Sequence, residues 1–208
     1  MATDIEATPQ RIIEAAGEVF AVKGFEAATV REICKLAGAN LAAVNYHFGD
    51  KRRLYIEAVK RAHLSRELQF PLPDWDAGTP ATQKLADFIL TLLKRMTSPT
   101  NTQWEGELMS REIARPSEAC EELARESIRP HFAVLNAILA ELMPEANEVK
   151  RHLTAFSIVG QCLHYKIAEP ITRQLVSPEE YGTYRPELLA EHITEFTLRG
   201  IGAPSPRT

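Results

Sequence analysis

Apolar residues recur three and four positions apart through most of this 208-residue chain, and no segment alternates with the period of two that a half-buried strand requires. The pattern predicts an all-α protein. A first helix runs from about Pro9 to Lys23 with Ile12, Ile13, Ala15, Ala16, Val19 and Phe20, and Gly24 stops it. Val30, Ile33, Cys34 and Ala37 form the apolar stripe of a second helix. A third, short one spans Leu41 to about His47. A fourth, running to about Leu68, turns Leu54, Ala58, Val59 and Ala62 inward. The run Phe70-Pro71-Leu72-Pro73-Asp74-Trp75-Asp76-Ala77-Gly78-Thr79-Pro80 cannot continue a helix. Helical periodicity then resumes over roughly 81–97, 103–114, 117–142, 146–173 and 186–200. These breaks divide the chain into 1–50, a connecting helix 51–68, a Pro-rich loop 69–80 and a second helical region 81–208.

The local chemistry is most specific between Thr29 and Leu54. Thr29 followed by Glu32 is a capping box, which fixes the start of the second helix. Gly38 supplies a sharp turn, and Asn40 is a suitable N-cap for the third helix. Gly49-Asp50 is a further turn with Asp50 capping the fourth. Two short helices joined by about four residues containing a Gly make a helix-turn-helix, whose second helix enters a DNA major groove.

The run Ala37-Gly38-Ala39-Asn40, then Val44, Asn45-Tyr46-His47-Phe48, Lys51 and Leu54, resembles the DNA-binding signature of the TetR/AcrR family of bacterial transcriptional regulators. The stretch from Arg11 to Phe25 is similar to that family's first helix. Ala42-Ala43 ahead of Asn45-Tyr46-His47-Phe48-Gly49, together with Ser157-Ile158-Val159-Gly160-Gln161-Cys162, resembles the CecR-like branch. The resemblance implies an N-terminal three-helix DNA-binding domain and a C-terminal helical domain for ligand binding and dimerisation. It also implies a homodimeric repressor that binds a pseudo-palindromic double-stranded operator and is released by a small-molecule effector.

Roles follow residue by residue. Leu41, Ala42 and Ala43 are apolar and suit thymine methyl groups, and Asn45 can hydrogen-bond an adenine edge or a phosphate. Thr29, Asn40, Tyr46, His47 and Lys51 match positions that contact backbone phosphates in the family, setting register and affinity more than base choice. The family's common Lys-Gly pair at the start of this helix is replaced here by Leu41-Ala42, which leaves little for guanine readout. Phe48 belongs to the core.

Charge supports this division. The whole chain is at −4, but residues 1–66 hold ten Lys or Arg against eight Asp or Glu, whereas the remainder holds fourteen against twenty. Lys51, Arg52, Arg53, Lys60, Arg61 and Arg66 gather on the fourth helix and suit phosphate contact, Lys51 above all because it begins that helix. The bland alternative, a solvated helix face, applies best to Lys60, Arg61 and Arg66. At 45% hydrophobic and 25% charged the composition is that of an ordinary globular protein. Without a membrane-length apolar run or a signal-like N-terminus, a cytoplasmic protein with no membrane partner is expected. Cys34, Cys120 and Cys162 are odd in number and widely spaced, so plain thiols are expected and neither a disulfide framework nor a metal site.

Two late helices carry narrow apolar seams. Val149, Leu153, Phe156, Gly160, Leu163 and Ile167 recur at spacings of four and three, as do Leu189, Ile193, Phe196 and Gly200. From periodicity alone the seams can pack within one chain or between two; the resemblance implies a dimer interface. Candidate effector-lining residues are Phe88, Leu92, Trp104, Leu108, Met109, Glu112, Phe132, Leu135 and Tyr165, each read first as core. There is no nucleophile elbow, zinc-protease motif or Gly-rich phosphate loop, so no enzyme and no cofactor are expected. Two alternatives remain open: a metal- or redox-responsive regulator using His131, His152, His164 or Cys120, and a helical protein-interaction module with a degenerate DNA-binding domain.

Overall fold

The computed structural model describes residues 9–100 and 102–203, and its regular elements there are all helical. They are α1 (Pro9–Ala27), α2 (Val30–Ala37), α3 (Leu41–Phe48), α4 (Lys51–Gln69), α5 (Ala81–Thr97), α6 (Gln103–Ala114) and α7 (Ala119–Leu123). A π-helical turn (Ala124–Ile128) leads into α8 (Arg129–Leu142), followed by α9 (Glu148–Ile167), α10 (Glu169–Leu175), α11 (Pro178–Tyr181) and α12 (Pro186–Ile201).

Packing groups these helices into two units. The first joins the described residues up to Arg66 with those of the stretch 100–127, and the second joins Glu67–Pro99 with the described residues from Ile128 onward. Residues 100–127, beyond the Pro-rich loop, thus pack with the N-terminal helices. The reason is visible between α1 and α6. Gly17 lets the two helices approach so closely that a Cβ on it would lie 2.3 Å from Cε3 of Trp104. Ile12, Phe20, Ile33, Val44, Leu54 and Leu108 fill the core of this unit, and Phe20, Phe25 and Tyr55 meet edge-on or stacked within it. Tyr55 donates to Oε2 of buried Glu112 at 2.8 Å, and Ser117 donates to the same carboxylate through N and Oγ at 2.7 and 2.8 Å. Burial and the carboxylate push the Tyr55 phenol well above its ordinary range.

In the second unit α5 packs against α8, α9 and α12. Leu85, Ile89 and Leu93 of α5 meet Leu135, Leu139, Ile158, Cys162, Leu189 and Ile193 in one core. Trp75 donates to Asp87 at 3.0 Å, which ties the Pro-rich loop to α5.

Four features of the helices depart from expectation. Gly24 leaves the helical region at φ 75 and ψ 173, as its sequence position predicted, but the chain coils on to Ala27. The stretch 117–142 is interrupted by the π turn. Pro130 near the start of α8 cannot donate to the carbonyl four residues back and would crowd it, and wider coiling relieves that contact. Pro170 likewise separates α9 from α10 at Ala168, where 146–173 was expected to be continuous. Helix α11 was not expected, although Ser177 followed by Pro178 is a start signal, and Ser177 Oγ accepts from the Glu180 N–H at 3.1 Å.

Candidate nucleic-acid interface

The helix-turn-helix is built by caps. Thr29 Oγ1 accepts from the Glu32 N–H at 3.3 Å while Glu32 Oε2 accepts from the Thr29 N–H at 3.2 Å, so both ends of the capping box are closed. Lys23 pairs with Glu32, and Lys23 and Thr29 together hold its carboxyl below the ordinary range. Gly38 ends α2 in the left-handed region at φ 61 and ψ 35, a conformation L side chains rarely adopt. Arg11 donates to the Ala37 carbonyl at 3.0 Å, tying the end of α2 to α1. Asn40 Oδ1 then accepts from the Ala43 N–H at 2.8 Å and starts α3.

Only Val44 of α3 is fully buried. Leu41, Ala42, Asn45, Tyr46 and His47 are exposed, with Leu41 at 56% and Tyr46 at 85%, values an isolated apolar or aromatic residue reaches only when nothing covers it. Phe48 is half-buried and packs on the core as expected. Ala43 does the same, so of the three apolar residues expected to face DNA it turns toward the protein instead. The rings of Tyr46 and His47 meet edge-on with centroids 5.0 Å apart. Thr29 and Asn40 spend part of their side-chain capacity on capping.

Asp50 caps α4 by accepting from the Arg53 N–H at 2.7 Å. Lys51 is fixed at the other side of the turn, its Nζ donating to the Glu26 carbonyl at 3.2 Å and lying 4.6 Å from the centre of the Phe25 ring. Three further cations of α4 face a row of acids from the stretch 118–126. Arg52 pairs with Glu118, Arg53 with Glu122 at 2.9 Å, and Lys60 with Glu126 at 2.7 Å, while Glu57 sits between Arg53 and Lys60 at 3.6 and 3.7 Å. Lys60 holds the Glu126 carboxyl below its ordinary range. The spacing of four through Glu118, Glu122 and Glu126 was the available signal. Arg66 is buried, and burial lowers its pKa against the opposing pull of Glu105. Arg61 is exposed.

The nine candidate effector-lining residues fall into both units. Trp104, Leu108, Met109 and Glu112 belong to the first unit's core, and Glu112 is occupied by Tyr55 and Ser117. Phe88, Leu92, Leu135, Phe132 and Tyr165 belong to the second, with Phe88 and Leu135 buried and the other three half-buried. Burial pushes the Tyr165 hydroxyl upward.

The seam on α9 is an outward face. Val149, Leu153, Phe156, Gly160 and Ile167 are exposed and Leu163 is half-buried, while Ala155, Ile158 and Cys162 supply the buried side. On α12 the expectation needs correction at two positions. Leu189 and Ile193 are 6% and 0% exposed and pack in their own unit's core, whereas Phe196 and Gly200 are exposed. The buried arc of α12 is centred on Ala190, Thr194 and Thr197, which draws Leu189 and Ile193 inside its edge and leaves Phe196 outside. Leu188, Ile171 and Leu175 are further exposed apolar residues of this unit.

Each histidine offered for metal or redox sensing has its own neighbours. His131 contacts Glu67 at 3.2 Å, His152 contacts Glu148 at 3.7 Å and Asn136 at 3.3 Å, and His164 lies 3.4 Å from Thr172. Cys120 is half-buried, and burial raises the thiols of Cys34 and Cys162. No cluster of three or more metal-type side chains occurs among the described residues. No helix among them is long and apolar enough to cross a membrane.

Comparison with known proteins matches both halves of the chain. Residues 12–58 match the family of bacterial regulatory proteins, tetR family, and residues 81–201 match the C-terminal domain of the HTH-type transcriptional dual regulator CecR. CecR of Shigella flexneri is 24% identical over 96% of this chain and 95% of its own length. Among solved structures, the regulator FadR from Bacillus subtilis, in complex with stearoyl-CoA, aligns over 93% of this chain and 99% of its own, with TM-score 0.63 and 18% identity. AibR, in complex with isovaleryl coenzyme A and operator DNA, aligns over 90% and 96% with TM-score 0.62 and 16% identity. At these identities the structural likeness is one of fold.

Proposed function

The chain belongs to the TetR family of DNA-binding transcriptional regulators, in the group with a CecR-type C-terminal domain, and from that premise we propose a homodimeric cytoplasmic repressor released from a pseudo-palindromic operator by a small-molecule effector. One observation carries the DNA reading: α3 is held by caps at both ends and a single buried valine, and presents Leu41, Ala42, Asn45 and Tyr46 uncovered. In this reading residues 1–50 form the reading head, 51–68 the connecting helix and 81–208 the regulatory region, of which the stretch 100–127 packs with the head. Tyr46, His47, Thr29, Asn40 and Lys51 fix register on phosphates, and the α3 face reads bases.

The dimer reading is supported by the exposed face of α9. Val149, Leu153, Phe156 and Ile167 are each more than half exposed on one side of one helix, a continuous apolar stripe that a lone chain would leave in water. Two copies related by a two-fold axis would present two heads to two half-sites.

The effector binds the free and DNA-bound forms unequally and shifts their populations by that difference. Because two regulators of the same fold are described with acyl thioesters of coenzyme A, that class is the first to screen. The test is fluorescence anisotropy of the purified protein on duplex DNA from upstream of its own gene, against a scrambled duplex, at several salt concentrations. The reading requires tight binding to a specific duplex that weakens as salt rises, and loss of that binding when the effector is added. Equal, weak binding to every duplex, including those selected from a random pool, would reject it.

A further inference from the structure

We infer that the outer face of α3 selects A·T base pairs, with Leu41 and Ala42 reading thymine methyl groups and Asn45 reading adenine; the inference rests on the regulator reading above. Leu41, Ala42, Asn45 and Tyr46 stand at i, i+1, i+4 and i+5 and therefore share one arc of the helix. Leu41 is 56% exposed, and its apolar side chain gains by covering another apolar group, which the major groove offers only at the thymine 5-methyl. Among the described residues the Asn45 amide has no hydrogen-bond partner, so its donor and acceptor are both available, the pair that adenine N7 and N6 complement. Asn40, by contrast, has its Oδ1 committed to the Ala43 N–H.

What is absent from the face is equally informative. Guanine presents two acceptors, O6 and N7, and is read best by Arg or Lys. No Lys or Arg stands between Leu41 and Phe48. The next cations lie beyond α3 at the start of α4, where Lys51 is assigned to phosphate and Arg52 and Arg53 face Glu118 and Glu122. Cytosine donates through N4 and is read by a carboxylate, and α3 carries none. Leu41 and Asn45 are exposed, so replacing either removes a reader without disturbing the core.

The experiment begins with selection of the tightest duplex from a random pool by the full-length protein. Three modified versions follow: uracil for thymine, which removes only the methyl; 7-deazaadenine for adenine, which removes only N7; and G·C for A·T in the half-site. Uracil should weaken wild-type binding about fourfold per contacted methyl, and 7-deazaadenine or a G·C exchange about tenfold or more. Leu41→Ala should abolish most of the sensitivity to uracil, and Asn45→Ala the sensitivity to 7-deazaadenine, each leaving the other intact. Enrichment of half-sites with guanine or cytosine at the sensitive positions, or indifference of the wild type to uracil and 7-deazaadenine, overturns the assignment while the regulator reading stands. Failure to enrich any sequence overturns both.

Discussion

Gly17 lies directly under the indole of Trp104, with space for a hydrogen and none for a methyl: a Cβ there would sit 2.3 Å from Cε3 and 2.5 Å from Cζ3. Gly17→Ala gains about 1 kcal/mol of helix propensity but forces Trp104 or the α1–α6 spacing to move, at about 1–3 kcal/mol or more. The overpacking wins. The variant should melt several degrees lower than the wild type in a calorimetric scan, and pairing it with Trp104→Leu should recover part of the loss because the smaller side chain vacates the clash. A melting temperature equal to or above that of the wild type would show that the two helices are not in this contact.

How much of this could be read from the chain depended on whether the signal was local. Thr29 and Glu32, Gly38, and Asn40 announce caps and a turn within a few residues of where they act, and all three do so in the structure. Pro130 and Pro170 were equally local, yet the periodicity on either side of them hid the π turn and the break at Ala168. Burial was harder. Leu189 and Phe196 stand on one apolar stripe seven residues apart, and periodicity cannot say which neighbour covers which end; α5 and its partners cover Leu189 and leave Phe196 bare. Trp104 and Phe132 drew the same expectation of a ligand wall for the same reason, since an aromatic side chain looks alike in a core and in a pocket. The acids opposite α4 were least legible, because their partners lie 66 and 69 residues away.

Phe156 stacks on Phe132 of its own unit at 5.4 Å yet remains 59% exposed, so it can serve a second copy without being needed to hold its own fold. Phe156→Asp should leave the helical circular dichroism intact and convert the proposed dimer to a monomer in sedimentation at micromolar concentration. Burying an unpaired carboxylate in an apolar seam costs several kcal/mol, more than most such contacts can absorb. Affinity for a two-half-site duplex should then fall toward that for a single half-site. A variant that sediments as the wild type does would place the dimer seam elsewhere.

Cys162 is fully buried, and burial pushes its thiol from 9.0 up to about 12. The folded pKa is above the unfolded one, so the native state holds its proton while the unfolded chain releases it. The contribution is whole below pH 9 and drains away as pH rises from 9 toward 12, at no more than about 1.4 kcal/mol per pH unit. Urea unfolding measured between pH 8 and 10.5 should show stability falling with pH, and Cys162→Ala should flatten that fall even though the truncation lowers stability overall. An unchanged slope in the variant would rule out this thiol as the source.

The row of pairs from Arg52, Arg53 and Lys60 to Glu118, Glu122 and Glu126 sets internal carboxylates where DNA phosphates would otherwise find cations. Exposed pairs of this kind contribute little to stability, roughly 0–1 kcal/mol each, so removing the acids leaves the fold standing. Their effect on binding is larger, because a cation that must leave a carboxylate to meet a phosphate returns less than a free one. Exchanging all three acids for glutamine in one protein should therefore tighten DNA binding at low salt and steepen its salt dependence. Each cation newly engaged with phosphate adds about 0.9 to the slope of log K against log salt concentration. Anisotropy titrations from 50 to 300 mM salt measure that slope directly. If the variant and the wild type give parallel lines, removing the acids frees no cation for phosphate, and the acid row does not limit DNA contact.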